Sequence, residues 1–124
     1  MRLLLILASL ALLGGSAWAQ VAGDPLRQGQ EVYEDSCAQC HRANGEGLPA
    51  TFPALNKNPF VLGDPQPVIA TVLNGLKGNL GRMPAWKDNL DDRQIAAVVT
   101  YIRQAWSNRA PAVTTAMVAA TRRK

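Results

Sequence analysis

The chain has 124 residues, 48% of them hydrophobic, and 13 Lys and Arg against 9 Asp and Glu give a formal charge of +4. That balance is too modest to mark a nucleic-acid partner. Two cysteines and one histidine are also too few for a closed structural zinc site, which takes four such ligands.

The first element in chain order is an export leader. Arg2 supplies a positive start, Leu3 to Leu13 an apolar run, and Ala17-Trp18-Ala19 an A-x-A cleavage site. Residues 1–19 therefore read as a signal peptide, with a mature chain from Gln20. The run is about eleven residues, short of the ~20 that span a bilayer as a helix. No later stretch is apolar enough to span, so no transmembrane segment is expected after cleavage; an uncleaved anchor is the alternative. Removing Arg2 takes the charge to +3. The remainder is one domain by length, divided here into 20–110 and a C-terminal extension, 111–124.

A helix is expected from about Pro25 to Ala38, capped by Asp24, with Pro25 at a first position where its missing N–H costs nothing. Gly29 inside it costs roughly 1 kcal/mol against Ala, which suggests close contact with another helix, although plain tolerance is the simpler account.

The helix leads into Cys37-Ala38-Gln39-Cys40-His41. C-x-x-C-H is the attachment pattern of a c-type haem. Two thiols three positions apart on a helical turn can each add to one porphyrin vinyl group, and the imidazole directly after the second is then held under the iron. A thioredoxin-like dithiol would want a βαβ context, which is missing, and a structural disulfide gives no reason for His41. Covalent attachment of this kind takes place outside the bacterial cytoplasmic membrane, which agrees with the leader and places the mature protein in the periplasm. Two propionates on one haem would bring the net charge near +1.

From Arg42 to Asp64 the chain is rich in Gly, Pro and Asn and no long element is expected. A second helix should run from Pro65 to Leu73, capped by Asp64 and stopped at Asn74-Gly75. Lys77 to Asn89 reads as another irregular stretch. The last long helix is the best marked: Asp91 and Gln94 have capping-box spacing, Leu90 and Ile95 suit a hydrophobic staple, and Ile95, Val98, Val99, Ile102 and Trp106 repeat at helical spacing. A short terminal helix is expected over Thr114 to Arg123, with Arg122-Arg123-Lys124 a solvated, frayed end. No strand pattern or repeat is found. The expected fold is all-α, with long loops.

The iron's other axial position has few candidates. A second histidine is lacking, and beyond the leader the methionines are Met83 and Met117. Met117 sits in an Ala-rich tail and reads as packing or surface. Met83 lies in a loop and is followed by Pro84, which stiffens the backbone beside it. Read alone, Met83 suits a loop hydrophobe as well as a ligand; beside His41 it becomes the second ligand. A thioether favours ferrous iron and raises the potential. With both axial positions filled, electron transfer is favoured over substrate chemistry.

At this point the chain resembles a class I cytochrome c over nearly all of the mature sequence. Gly29 and Tyr33, the Cys37–His41 motif, Pro53-Ala54-Leu55, Met83-Pro84-Ala85-Trp86 and the Val98-to-Arg103 segment with Tyr101 carry the likeness. The resemblance implies a small all-α fold of about 3–5 helices around one haem. It implies that the terminal helices cross at Gly29 against Tyr101, with Tyr33 alongside. It also implies that the Pro53 carbonyl accepts the free N–H of His41. The M-P-A-W turn is similar to bacterial single-haem domains, found as free carriers, as cytochrome subunits of periplasmic dehydrogenases and as modules of oxidases. The function implied is periplasmic electron transfer between redox proteins by a carrier rather than an enzyme. A subunit of a dehydrogenase or oxidase complex is the alternative, with 111–124 as its docking segment; a haem enzyme or gas sensor with a displaceable sixth ligand is a lesser one. Arg42, Lys77, Arg82 and Lys87 lie close in sequence to the ligands and either ring an exposed haem edge or are ordinary solvated charges.

Overall fold

The computed structural model describes residues 23–78 and 81–124, and the expected 1–19 leader lies outside them. Six helices and one two-stranded ladder are found among the described residues. The helices are α1 (Pro25–Ser36), α2 (Ala38–His41), α3 (Pro59–Leu62), α4 (Pro65–Asn74), α5 (Asp92–Gln104) and α6 (Thr115–Arg122). The ladder pairs β1 (Leu76–Lys77) with β2 (Arg82–Met83), antiparallel, Leu76 facing Met83 and Lys77 facing Arg82.

Local chemistry accounts for most boundaries. Asp24, Asn58 and Asp64 each cap a helix whose first residue is proline, their side chains accepting from Leu26, Phe60 and Gln66 backbone N–H groups at 2.9–3.0 Å. Such a cap stabilises a helix by roughly 1 kcal/mol. Asp91 and Gln94 form both halves of a capping box, at 3.0 and 2.8 Å, and Leu90 and Ile95 beside it are buried. Gly75 ends α4 at φ 73°, a conformation that favours glycine.

The core forms where α1 lies against α5, with α4 and α6 packed on the other side of α5. Ile95, Val98, Val99 and Ile102 of α5 meet Val32 and Tyr33 of α1, Val68, Ile69, Val72 and Leu73 of α4, and Val118 of α6 in one buried cluster. Burying each aliphatic side chain contributes roughly 1.5–3 kcal/mol. The helices cross at Gly29, as the resemblance implies: a Cβ there would lie 2.2 Å from the Ala97 carbonyl oxygen and 2.8 Å from Tyr101 Cβ.

Four expectations need correction. The first helix stops at Ser36 rather than Ala38, since Cys37 leaves helical geometry at φ −115° and the turn restarts as α2. The stretch from Lys77 to Asn89, expected to be irregular, holds β2 and the end of β1, a ladder too brief for a period to show. Trp106 lies beyond the last helix, which ends at Gln104, and takes a left-handed φ of 54°. The C-terminus is not frayed at Arg122: its Nε donates to Asp92 Oδ1 at 2.6 Å, and its Nη1 and Nη2 donate to the Lys87 and Leu90 carbonyls at 2.5 and 2.9 Å. Within segment 111–124, Val113, Val118 and Thr121 are buried, and Val113 exchanges two hydrogen bonds with Thr100 Oγ1, at 2.9 and 3.2 Å.

Candidate functional site

Both cysteines and His41 gather at the break between α1 and α2. Cys37 closes α1 through its N–H to Tyr33 O at 2.8 Å, and its own carbonyl receives the N–H groups of Cys40 and His41 at 3.2 and 2.9 Å. Both cysteines are free, half-buried thiols on one turn. Burial, with a smaller contribution from Cys40, pushes the Cys37 thiol up to about 12. A thiol so protonated at neutral pH is the reverse of the low-pKa nucleophile of dithiol redox enzymes.

His41 is buried, 9% exposed, and its Nδ1 lies 2.9 Å from the Pro53 carbonyl oxygen. A carbonyl only accepts, so Nδ1 carries a proton here, and in the neutral ring Nε2 is the nitrogen left with a lone pair. That leaves one metal-binding nitrogen, aimed by a backbone acceptor on the opposite side of the ring, as metal-ligating histidines are usually held. The loop bearing Pro53 is shaped around this contact. Gly47, at φ 62°, donates its N–H to His41 O at 2.9 Å, and a Cβ on it would lie 2.3 Å from Phe52 O and 2.7 Å from Pro53 O.

Met83 is held by a different set of contacts. It sits in β2 opposite Leu76, half-buried against the core with Trp86. Its carbonyl presses on Gly75, where a Cβ would come within 2.4 Å of Met83 O. The Trp86 and Lys87 N–H groups then bind the Val72 and Leu73 carbonyls, both at 3.1 Å, fixing the Met83-Pro84 turn to the end of α4. Leu76, 59% exposed, and Phe60, 51% exposed, stand as large apolar side chains in solvent. Two thiols, one free imidazole nitrogen, a thioether and apolar surface form a donor set that suits a haem, whose soft iron and greasy ring need those partners.

An aromatic triad backs the turn. Tyr33 lies 5.4 Å from Tyr101 and 5.3 Å from Trp106, centroid to centroid, and Tyr101 lies 5.9 Å from Trp106. Tyr33 OH donates to the carbonyl of Arg42 at 2.6 Å, fixing the residue after His41 at its left-handed φ of 67°. Trp106 Nε1 donates to Ala43 O at 2.9 Å. Tyr33 and Tyr101 were legible as contacts of Gly29; the roles of Trp106 and of the buried Asn108 were not, because neither carries a local pattern. Arg42, Lys77, Arg82 and Lys87 are all exposed.

Helices α1 and α5 crossing at a glycine, beside a turn carrying C-x-x-C-H, make this a class I cytochrome c. The chain belongs to the family described as cytochrome c oxidase, cbb3-type, subunit III, whose model matches residues 24–102. It is 41% identical over 111 residues to the gluconate 2-dehydrogenase cytochrome c subunit of Pantoea cypripedii, covering 82% of this chain and 25% of that protein. It is 34% identical over 96 residues to the cytochrome c subunit of alcohol dehydrogenase (quinone) from Gluconobacter oxydans, covering 71% and 20%. Against cytochrome c-552 of Thermus thermophilus it is 33% identical over 114 residues, covering 82% and 72%. The chain thus spans a quarter or less of the length of the two dehydrogenase subunits. Among the described residues no helix is long and apolar enough to cross a membrane.

Proposed function

We propose that this chain is a periplasmic electron carrier holding one haem c through Cys37 and Cys40 thioethers, with His41 and Met83 as axial ligands. A haem so bound supplies a reversible one-electron couple between ferric and ferrous iron. The observation that carries this reading is the 2.9 Å contact of His41 Nδ1 with Pro53 O on the same turn as both thiols. The protein's own contributions are few. His41 presents Nε2 and is held in that tautomer by Pro53. Met83 offers a weak thioether donor that favours the reduced state. An apolar surround would leave little solvent to reorganise when the iron changes charge. With both axial positions taken, no place is left for a substrate, which supports carriage over catalysis.

The leader over residues 1–19 supports delivery to the periplasm, and exchange is with protein redox partners. A second reading, favoured by the 41% identity to a dehydrogenase cytochrome c subunit, makes the chain one module of a dehydrogenase or oxidase complex. Co-purification with a large partner after periplasmic extraction separates the two.

The test of covalent attachment is a denaturing gel stained for haem. The parent protein should stain after boiling, and the Cys37→Ala, Cys40→Ala double variant should not. Haem lost from the parent under denaturation would refute the thioethers.

A further inference from the structure

A buried amide stands behind the loop that orients His41. Asn108 has no exposed surface, and its side chain is partnered at both ends. Its Oδ1 accepts from Lys57 N at 2.7 Å, and its Nδ2 donates to Leu55 O at 3.0 Å and to Ile102 O at 2.7 Å. Ile102 belongs to α5, so the amide joins that helix to a segment beginning just after Pro53. Lys57 sits at φ 58°, a region that non-glycine residues keep only where their surroundings impose it; the Asn108 carbonyl holds its N–H there. Asn56 adds a second tie, its Oδ1 accepting from Ser107 N at 3.1 Å. On the loop's other side, Leu55 N and Asn56 N both donate to Gly45 O, at 2.7 and 3.0 Å. The Trp106 ring fills the space over Gly45, where a Cβ would come within 2.5 Å of it. The Pro53 loop is therefore clamped between the end of α5 and the turn that follows His41.

We propose that Asn108 is a positioning residue for His41. It fixes residues 55–57 so that Pro53 O meets Nδ1–H, and so governs how strongly the imidazole donates to bound iron. The proposal rests on the reading of His41 as the haem ligand. A firm Nδ1–H···O bond gives the ring more negative character and favours ferric iron. Loosening that bond raises the reduction potential.

The test uses the haem-loaded protein with Asn108→Ala, Asn56→Ala and, as a control, Val118→Ala, which opens the core under α6 away from this loop. Reduction potential, the exchange rate of His41 Nδ1–H in the ferrous protein by NMR, and the thermal midpoint are read for each. Asn108→Ala should raise the potential and speed exchange about tenfold, the factor that ~1.4 kcal/mol sets. Asn56→Ala should do the same to a smaller extent, and Val118→Ala should lower the midpoint alone. If both asparagine variants lose stability while potential and exchange stay at parent values, Asn108 only supports the fold and the proposal fails. If all three variants shift alike, it fails too. Should Asn108→Ala not fold, Asn56→Ala decides by the same readouts. His41 resonances without a paramagnetic shift in the ferric parent would refute the ligand reading itself, and the proposal with it.

Discussion

Gly29 has no room for a side chain because Ala97 occupies it: a Cβ there would sit 2.2 Å from the Ala97 carbonyl oxygen. The obstacle is backbone inside α5, so it cannot swing aside. Gly29→Ala should separate α1 from α5 and destabilise the protein by about 1–3 kcal/mol, the usual range for overpacking. Denaturant unfolding checks the loss. The visible spectrum should not change, since neither helix face at the crossing carries a proposed ligand.

Arg103 ties three segments together although only 2% of its surface is exposed. Its Nη1 donates to Val61 O at 2.6 Å and Gly63 O at 2.9 Å, and its Nε donates to Pro111 O at 3.0 Å. Arg103→Met keeps most of the volume but strands three carbonyls. We expect a loss of about 2–4 kcal/mol. Arg103→Lys should recover only part of it, since an ammonium lacks the planar fork. Thermal unfolding of the two variants beside the parent tests this order.

Both tyrosines resist ionisation. Burial above all drives the Tyr33 phenol well above the ordinary 10.0, with the Tyr101 charge adding to it, and burial, then Glu34, raises Tyr101. A raised folded pKa means the unfolded chain releases its proton first. Stability is therefore unaffected below pH 10 and falls as pH rises above it, by up to about 1.4 kcal/mol per pH unit for Tyr33. Tyrosinate absorbance at pH 10 should be small in the folded protein and about half-maximal in denaturant. Tyr33→Phe should flatten the alkaline loss of stability and cost about 1 kcal/mol at neutral pH through the bond to Arg42 O.

The parts legible in the sequence were those written locally. An aspartate before proline announces a helix start, which is why the starts of α1 and α4 were placed correctly. Asn58-Pro59 carries the same signal and went unread among the neighbouring glycines and prolines. The motif at 37–41 needs no tertiary context because its spacing is its chemistry. The β1–β2 pair was beyond reach: two residues per strand show no alternation, and Leu76 meets Met83 only through a turn. Arg122 read as part of a solvated end, and Arg103 and Asn108 were given no role of their own, since their partners lie 6–53 positions away and are mostly backbone carbonyls. The continuation of the α5 pattern to Trp106 misled for a similar reason. Its ring is half-buried against Gly45, Tyr33 and Tyr101 from a position past the end of the helix.

Lys77 and Arg82 face each other across the ladder and are both exposed. Like charges so opposed repel slightly, and an acidic surface would relieve them. The bimolecular electron-transfer rate with an acidic partner should fall as salt rises from low to physiological strength. Lys77→Gln with Arg82→Gln should reduce both the rate and that dependence. A rate indifferent to salt would leave these as ordinary solvated charges.

The central claim is that His41 and Met83 hold the iron between them, and the ferric visible spectrum of Met83→Ala beside the parent tests it most directly. The parent should show the weak far-red band of thioether-bound ferric iron, and the variant should stay red, lose that band, drop in potential and bind added small ligands. A variant whose spectrum and potential match the parent's would contradict the account, because the sulfur would then not be on the iron.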